Sequence, residues 1–338
     1  MKALFIGGTG TISTEISKLC LKQGWELTLL NRGRSSSHVP EGAKVICADI
    51  HDEAAVAALL EGQSYDVVAD FIAFTPEHVE RDIRLFKGKC QQYFFISSAS
   101  AYQKPLSSPW ITEGTPLHNP YWQYSRDKIA CEEVLMHAYH DDLFPVTIIR
   151  PSHTYCERSV PVAVKGTKGS YQVLERMRRG KPVIVPGDGT SLWTLTHSRD
   201  FAVAFVGLMG NVHALGEVYH ITGDESLTWN QIYECAARAL GVKPKFVHIS
   251  SETLGRLCPE YVGNLLGDKS NTVIFDNTKI KRAVPQFCAT TRFDQGVREA
   301  VEYVYSHPEC QIPDPEFDAW CDAVIEGYEK MTAALPKL

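Results

Sequence analysis

The chain has 338 residues, 44% hydrophobic and 22% charged, with a formal net charge of −6. That length suits about two domains, and the acidic balance offers no broad cationic surface, so no nucleic-acid partner is expected. No apolar run approaches the ~18 residues of a membrane span or the core of a signal peptide, so no membrane partner is expected. Ten cysteines scattered singly, with no C-x-x-C pair, point to reduced thiols in the cytoplasm and to no metal.

"KALFI" (2–6) reads as a buried strand, followed by Ile12, Ile16, Leu19 and Cys20 at helical spacing up to Gly24. Strands follow at 26–30, 43–49, 66–73, 92–98 and 145–150, with helices near 53–60, from Pro76, and at about 121–140. Strands apolar along their whole length, separated by helices, belong to a parallel sheet covered on both faces. The expected fold is therefore α/β, a Rossmann-type doubly wound parallel sheet with a smaller C-terminal α/β substrate lobe. Residues 1–178, with about 195–221, are expected in the dinucleotide-binding domain; 179–194 and 222–338 form the lobe. In the lobe, "LTWNQIYECAARALG" (227–241) reads as a helix, with Thr228 and Gln231 as reciprocal caps. Beyond about 242, short strands and loops are expected, then a Pro-rich crossing and a final helix near 317–332.

The stretch "GGTGTIS" (7–13) lies between the first strand and the first helix. A helix N-terminus favours a phosphate, and a turn without side chains lets it come close. Gly7 takes the tight turn and Gly10 the close approach, while Ser13 stands where a third glycine serves packing. Thr9, Thr11 and Ile12 complete the turn. In "NRGRSSS", Asn31, Arg32 and Arg34 replace the acid that would repel a 2′-phosphate, so NADP is the preferred cofactor and NAD the other. Asp49 is placed for the adenine amino group, with Ile50 beside it. Phe71, Ala73, Pro151 and Ser152, at strand ends, are the remaining expected cofactor contacts.

In "YWQYSRDKIACE", Tyr124 and Lys128 stand four residues apart, on one helix face and about 6 Å apart along the axis. A nearby ammonium favours the phenolate and brings a weak phenolic base toward use. Ser98 ends the strand "YFFISS", at the edge of the sheet where ligands lie.

These residues and the glycine turn, with "RPSHTY" and "GDGTSLWTLTHSRDFA", resemble the extended short-chain dehydrogenase/reductase family of NAD(P)-dependent sugar epimerases and dehydratases. The resemblance implies Ser98, Tyr124 and Lys128 as the catalytic set. Tyr124 would move a proton on a substrate hydroxyl while the nicotinamide exchanges hydride, and Lys128 would tune Tyr124 and hold the nicotinamide ribose. It also implies a homodimer formed through helices flanking the active site.

The departures bear on the substrate. Ser98-Ala99-Ser100 stands where the 4,6-dehydratase branch carries Thr-Asp-Glu, so dehydration is disfavoured. His153 replaces an Asn, and Trp193-Thr194 replace the Arg-Asp whose arginine grips a sugar-nucleotide diphosphate. Ser98, Ser100, His153 and Trp193 are the expected substrate contacts, with ordinary packing the alternative for Trp193. His137 and His140 read as a helix end, and Asp200 as the cap of the helix after His197. The expected activity is NAD(P)-dependent oxidation, reduction or epimerisation at a secondary alcohol or ketone of a sugar-like small molecule. The alternative is a catalytically weak NAD(P)-binding or RNA-binding relative.

Overall fold

The computed structural model describes residues 1–33 and 38–336, so the expectation for Arg34 lies outside the described residues. In chain order the first half holds β1 (Lys2–Ile6), α1 (Ser13–Lys22), β2 (Glu26–Asn31), β3 (Lys44–Cys47), α2 (Glu53–Leu59), β4 (Tyr65–Asp70) and α3 (Pro76–Phe86). It continues through β5 (Cys90–Ile96), β6 (Trp110–Ile111), α4 (Gln123–Asp142), β7 (Val146–Pro151) and β8 (His153–Tyr155). The second half holds α5 (Tyr171–Arg178), β9 (Val183–Pro186), β10 (Leu192–His197), α6 (Ser198–Leu208), β11 (Val218–Ile221), β12 (Ser226–Thr228) and α7 (Trp229–Ala239). It ends with β13 (Phe246–Ile249), α8 (Ser251–Leu257), β14 (Ile274–Phe275), α9 (Thr278–Ala283), α10 (Phe293–Ser306) and α11 (Pro315–Ala334).

By internal contacts the chain forms two units. The first is Met1–Thr154, Leu195–Asp224 and Phe275–Thr290; the second is Tyr155–Thr194, Glu225–Ile274 and Thr291–Leu338. The boundaries differ from those read off the sequence: 155–178 falls in the second unit, and 275–290 returns to the first. Ile280, Val284 and Phe287 explain that return, because they join the core beneath α6.

The first unit is built on a seven-stranded sheet of order β11-β7-β5-β4-β1-β2-β3, parallel in every pairing. The order reverses at β1, between β2 and β4. This is the switch point where open α/β sheets bind ligands at the carboxyl ends of their strands. Ala3, Leu4, Phe5 and Ile6 are all fully buried, alternating between two cores. On one face Ala3 and Phe5 meet Ile16, Cys20, Phe201 and Phe205. On the other, Leu4 and Ile6 meet Val79, Leu85, Cys131 and Leu135. Both faces are thus covered by helices, as near-continuous apolar strands require.

In the second unit β9 pairs in parallel with β13, and Leu192–Thr194 runs antiparallel to Ser226–Thr228. The cap on α7 forms in both directions: Thr228 accepts from the Gln231 N–H, and Gln231 reaches back to the Thr228 backbone. The expectation of strands and loops beyond about 242 is corrected by α8, a π-helical segment at Val262–Lys269, and α10. Gly296 and several β-branched and aromatic residues give α10 a weak helix propensity. Packing overrides it: Phe293, Val297, Ala300, Val301 and Val304 form one buried face against α7. A second correction concerns α6, which is capped by His197, whose Nδ1 accepts the Arg199 N–H at 3.2 Å. Asp200 lies in the first turn.

Candidate functional site

The glycine turn is enforced sterically. Gly7 has φ +79°, and a Cβ there would lie 2.7 Å from Ile72 Cγ2. Gly8, which the motif reading passed over, is equally constrained, because a Cβ would lie 2.5 Å from Leu29 Cδ2. The turn opens onto a cavity of about 380 Å³ lined by Gly7, Thr9, Gly10, Asn31, Arg32, Asp49 and Ile50, all expected from the sequence. His51, Ile72, Phe74 and His78 also line it and were not anticipated. Arg32 Nη1 stands 3.9 Å from Asp49 Oδ2, with both side chains about half exposed. Thr11 is exposed, and Ile12 packs against the core; neither lines the cavity.

Phe71 was expected beside the cofactor, but its ring packs edge-on against Phe5 at 5.4 Å and in a tilted arrangement against Phe205 at 5.7 Å. The chain bends beyond β4, where the Ile72 N–H donates to Asp70 Oδ1 at 2.6 Å, and Phe71 faces the core while Ile72 and Phe74 face the cavity. These residues fit a dinucleotide: Gly7 and Gly10 present bare backbone to the cavity where a pyrophosphate would lie, and the cavity beyond runs past Asn31 to Asp49 and Ile50.

Lys128 ties α4 to the sheet. Its Nζ donates to the carbonyls of Ala73 at 2.6 Å and Ile96 at 2.7 Å, at the carboxyl ends of β4 and β5. The ammonium also lies 4.7 Å from the Phe74 ring centre, 4.8 Å from that of Phe95 and 5.7 Å from that of Tyr124. Burial among these rings brings the Lys128 pKa down to about 8, against the opposing pull of Cys131, Asp70 and Glu132. Tyr124 sits in the first turn of α4, half-buried, its ring 5.0 Å from that of Trp122 and 6.5 Å from that of Phe74.

Ser98 stands two residues beyond the Ile96 carbonyl and caps a single 3₁₀ turn at Ala99–Ala101. Its Oγ is 2.9 Å from Ser100 Oγ, which in turn accepts from Ser125 Oγ at 2.7 Å, while Asn119 donates to the Ser100 carbonyl. Ser100 is buried; Ser98 is partly open. Lys128, Ser98 and the Ala73 carbonyl are therefore brought to one edge of the sheet. Pro151 ends β7, opposite Ile221 of β11, and Ser152 and His153 follow, both half-buried.

Trp193 belongs to the second unit. It is 4% exposed and stacks on Trp229 at 5.8 Å and 28°, the packing alternative raised from the sequence. His137 Nδ1 lies 2.7 Å from the Glu133 carbonyl on its own helix.

Two buried ionic groups support the site and were not read from the sequence. Glu132, on α4, holds Arg150 through two hydrogen bonds of 2.9 and 2.5 Å and accepts from Ser97 Oγ. Asp70 and Asp82 share Arg81, with Nη2 3.1 Å from Asp70 and 2.7 Å from Asp82, and Tyr93 Oη donates to Asp82 at 2.6 Å. Burial drives both carboxyl pKa values upward, and for Asp82 the charge of Asp70 adds to it. Arg81 Nη1 is also 3.4 Å from His51 Nδ1. The one available signal was Asp70, an acid closing the apolar run "VVA" at residues 67–69.

A parallel sheet reversing at β1, a glycine turn at that point, and a serine and a tyrosine–lysine helix at the carboxyl edge define an extended short-chain dehydrogenase/reductase fold. Residues 3–222 match the NAD dependent epimerase/dehydratase family, and the chain belongs to it. It is 28% identical over 261 residues to the chloroplast stem-loop binding protein of 41 kDa b of Arabidopsis thaliana, covering 73% of this chain and 65% of that protein. It is 24% identical over 241 residues to the 2′-dehydrokanamycin reductase of Streptomyces kanamyceticus, covering 71% and 67%. In structure it is similar to the UDP-glucose 4-epimerase of Thermus thermophilus in complex with NAD. The TM-score is 0.71 at 19% identity, over 90% of this chain and 99% of that one.

Proposed function

We propose that this protein transfers hydride between NADP(H), or less readily NAD(H), and a secondary alcohol or ketone of a sugar-like substrate. The observation that carries this reading is Lys128, buried and fixed to the carboxyl ends of β4 and β5, with Ser98 close along β5 and Tyr124 one turn away on α4. The cofactor supplies the hydride. Gly7, Gly10, Asn31, Arg32, Asp49 and Ile50 would hold its adenosine and pyrophosphate portion, and Ala73, Pro151 and Ser152 would border the nicotinamide. Tyr124 Oη gives or takes the proton of the reacting oxygen, which Ser98 Oγ orients. The Lys128 ammonium favours the phenolate by its charge.

Two features support a substrate without a nucleotide diphosphate. The position of the gripping arginine is taken by Trp193, which packs on Trp229. A buried diphosphate without that arginine would forgo charge-assisted bonds of about 1.5–3 kcal/mol. The likeness to a 2′-dehydrokanamycin reductase favours reduction of a ring ketone on a glycoside. Purified protein should oxidise NADPH when supplied with one member of a panel of keto-sugars and keto-glycosides, and Tyr124→Phe should abolish that turnover. Stoichiometric NAD(P) released on denaturing the fresh protein would instead favour epimerisation, in which the cofactor stays bound. We also propose a cytoplasmic homodimer joined through α3 and α4, testable by light scattering.

The likeness to a stem-loop binding protein favours a second reading, RNA binding. It would prevail if a salt-sensitive RNA affinity were measured and Tyr124→Phe left all activity unchanged.

A further inference from the structure

The first turns of α1 carry three hydroxyls, each tied to a carbonyl of the glycine turn. Ser13 Oγ donates to the Gly7 carbonyl at 2.7 Å, Ser17 Oγ to that of Gly8 at 3.0 Å, and Thr14 Oγ1 to that of Gly10 at 2.7 Å. Ser13 Oγ also accepts the Gly10 N–H at 2.8 Å, so one atom closes the turn across its mouth. Ser13 and Ser17 are at most 1% exposed, and Thr14 is 7% exposed.

A glycine turn is the most freely rotating backbone in the chain, yet to receive a pyrophosphate it must keep its carbonyl oxygens, which carry partial negative charge, turned away from the anion. A hydrogen bond from a buried hydroxyl fixes each carbonyl toward α1. Thus Ser13, which from the sequence is only a tolerated replacement for a packing glycine, does what glycine cannot.

We propose that Ser13, aided by Thr14 and Ser17, is a positioning residue for dinucleotide binding, locking the glycine turn with its carbonyls withdrawn from the pyrophosphate. It follows that Ser13→Gly, which restores the usual glycine pattern, weakens cofactor binding. The inference rests on the dinucleotide-binding part of the function proposed above.

The test is titration of the full chain with NADPH and NADH by nucleotide fluorescence, with ADP-ribose and adenosine as competitors. For Ser13→Ala and Ser13→Gly the dissociation constant of whichever dinucleotide the wild type binds should rise on the order of tenfold, from two lost hydrogen bonds. ADP-ribose should weaken equally, while adenosine, which lacks the pyrophosphate, should compete as in the wild type. A purely structural loss would weaken adenosine too, and that result overturns the proposal, as does an unchanged dinucleotide affinity. Should the small replacements not fold, Ser13→Thr against Ser13→Val makes the same comparison with and without the hydroxyl. A wild type that binds neither dinucleotide overturns the underlying reading; a wild type that binds while the Ser13 variants bind equally well overturns this inference alone.

Discussion

Lys128 donates to the carbonyl oxygen of Ala73 at 2.6 Å, joining the helix that carries Tyr124 to the loop whose Ile72 and Phe74 line the cavity behind the glycine turn. Burial brings the Lys128 pKa from 10.5 down to about 8. The ammonium therefore predominates below about pH 8 and is lost as pH rises through that value, and the help it gives the phenolate goes with it. The rate of substrate turnover should fall on the alkaline side with an apparent pKa near 8. Stability runs the other way. The unfolded lysine holds its proton to higher pH than the folded one, so between pH 8 and 10.5 the wild type should gain stability relative to Lys128→Met, by up to about 3 kcal/mol. Urea unfolding of cofactor-free protein at pH 7 and pH 10 checks this; a constant difference between the two proteins counts against it.

Tyr124→Phe keeps the ring that packs against Trp122 and Phe74 and removes only the hydroxyl. General acid–base assistance is worth about 10²- to 10⁴-fold, so kcat should drop by at least about 100-fold with the dissociation constant for the dinucleotide unchanged. An intact kcat would remove Tyr124 from the chemistry.

The glycine turn and the cavity behind it were legible because their causes are local. Positions that exclude a Cβ atom must be glycine, so Gly7 and Gly8 announce the turn between β1 and α1. The four-residue spacing of Tyr124 and Lys128 likewise follows from helix pitch alone. Phe71 was expected at the cavity because the strand was carried through residue 73; it ends at Asp70, and the bend beyond it turns the Phe71 ring into the core. His51 and His78, which line the same cavity with ring centres 4.9 Å apart, come from the turn after β3 and from the first turn of α3, and no short pattern joins them. The partnership of Glu132 with Arg150 was equally hidden, since it depends on α4 lying over β7. In the second half, α10 was missed because its helix is sustained by packing on α7 rather than by its own residues.

Arg32 should govern the choice of dinucleotide. It faces Asp49 at 3.9 Å across an open part of the cavity, a separation at which the guanidinium remains available to a 2′-phosphate. Arg32→Ala should weaken NADPH relative to NADH by about tenfold to a hundredfold, the worth of a charge-assisted contact. Competitive titration of both nucleotides measures the ratio. Equal losses for the two would show that Arg32 serves the adenine instead.

Arg81 holds two carboxylates that would otherwise share a dry space. Asp70 is 1% exposed and Asp82 fully buried, and both carboxyl pKa values are raised by burial, which opposes their charge. Breaking a buried ion pair from one side costs about 3–5 kcal/mol, because the remaining charge is stranded. Arg81→Met should therefore destabilise the fold by about that much near neutral pH. The sign with pH follows from the raised carboxyl values. A carboxyl that binds its proton more tightly when folded loses stability as pH rises above the ordinary carboxylate range. The Arg81→Met defect should then be smallest near pH 5 and grow toward pH 8, since at low pH both acids can take up protons. Adding Asp82→Asn should recover part of the loss at neutral pH by leaving Asp70 as the single buried acid. Chemical unfolding of the wild type, the single variant and the double variant at both pH values decides the matter: a defect that does not change with pH would mean that Arg81 contributes packing and hydrogen bonds rather than charge.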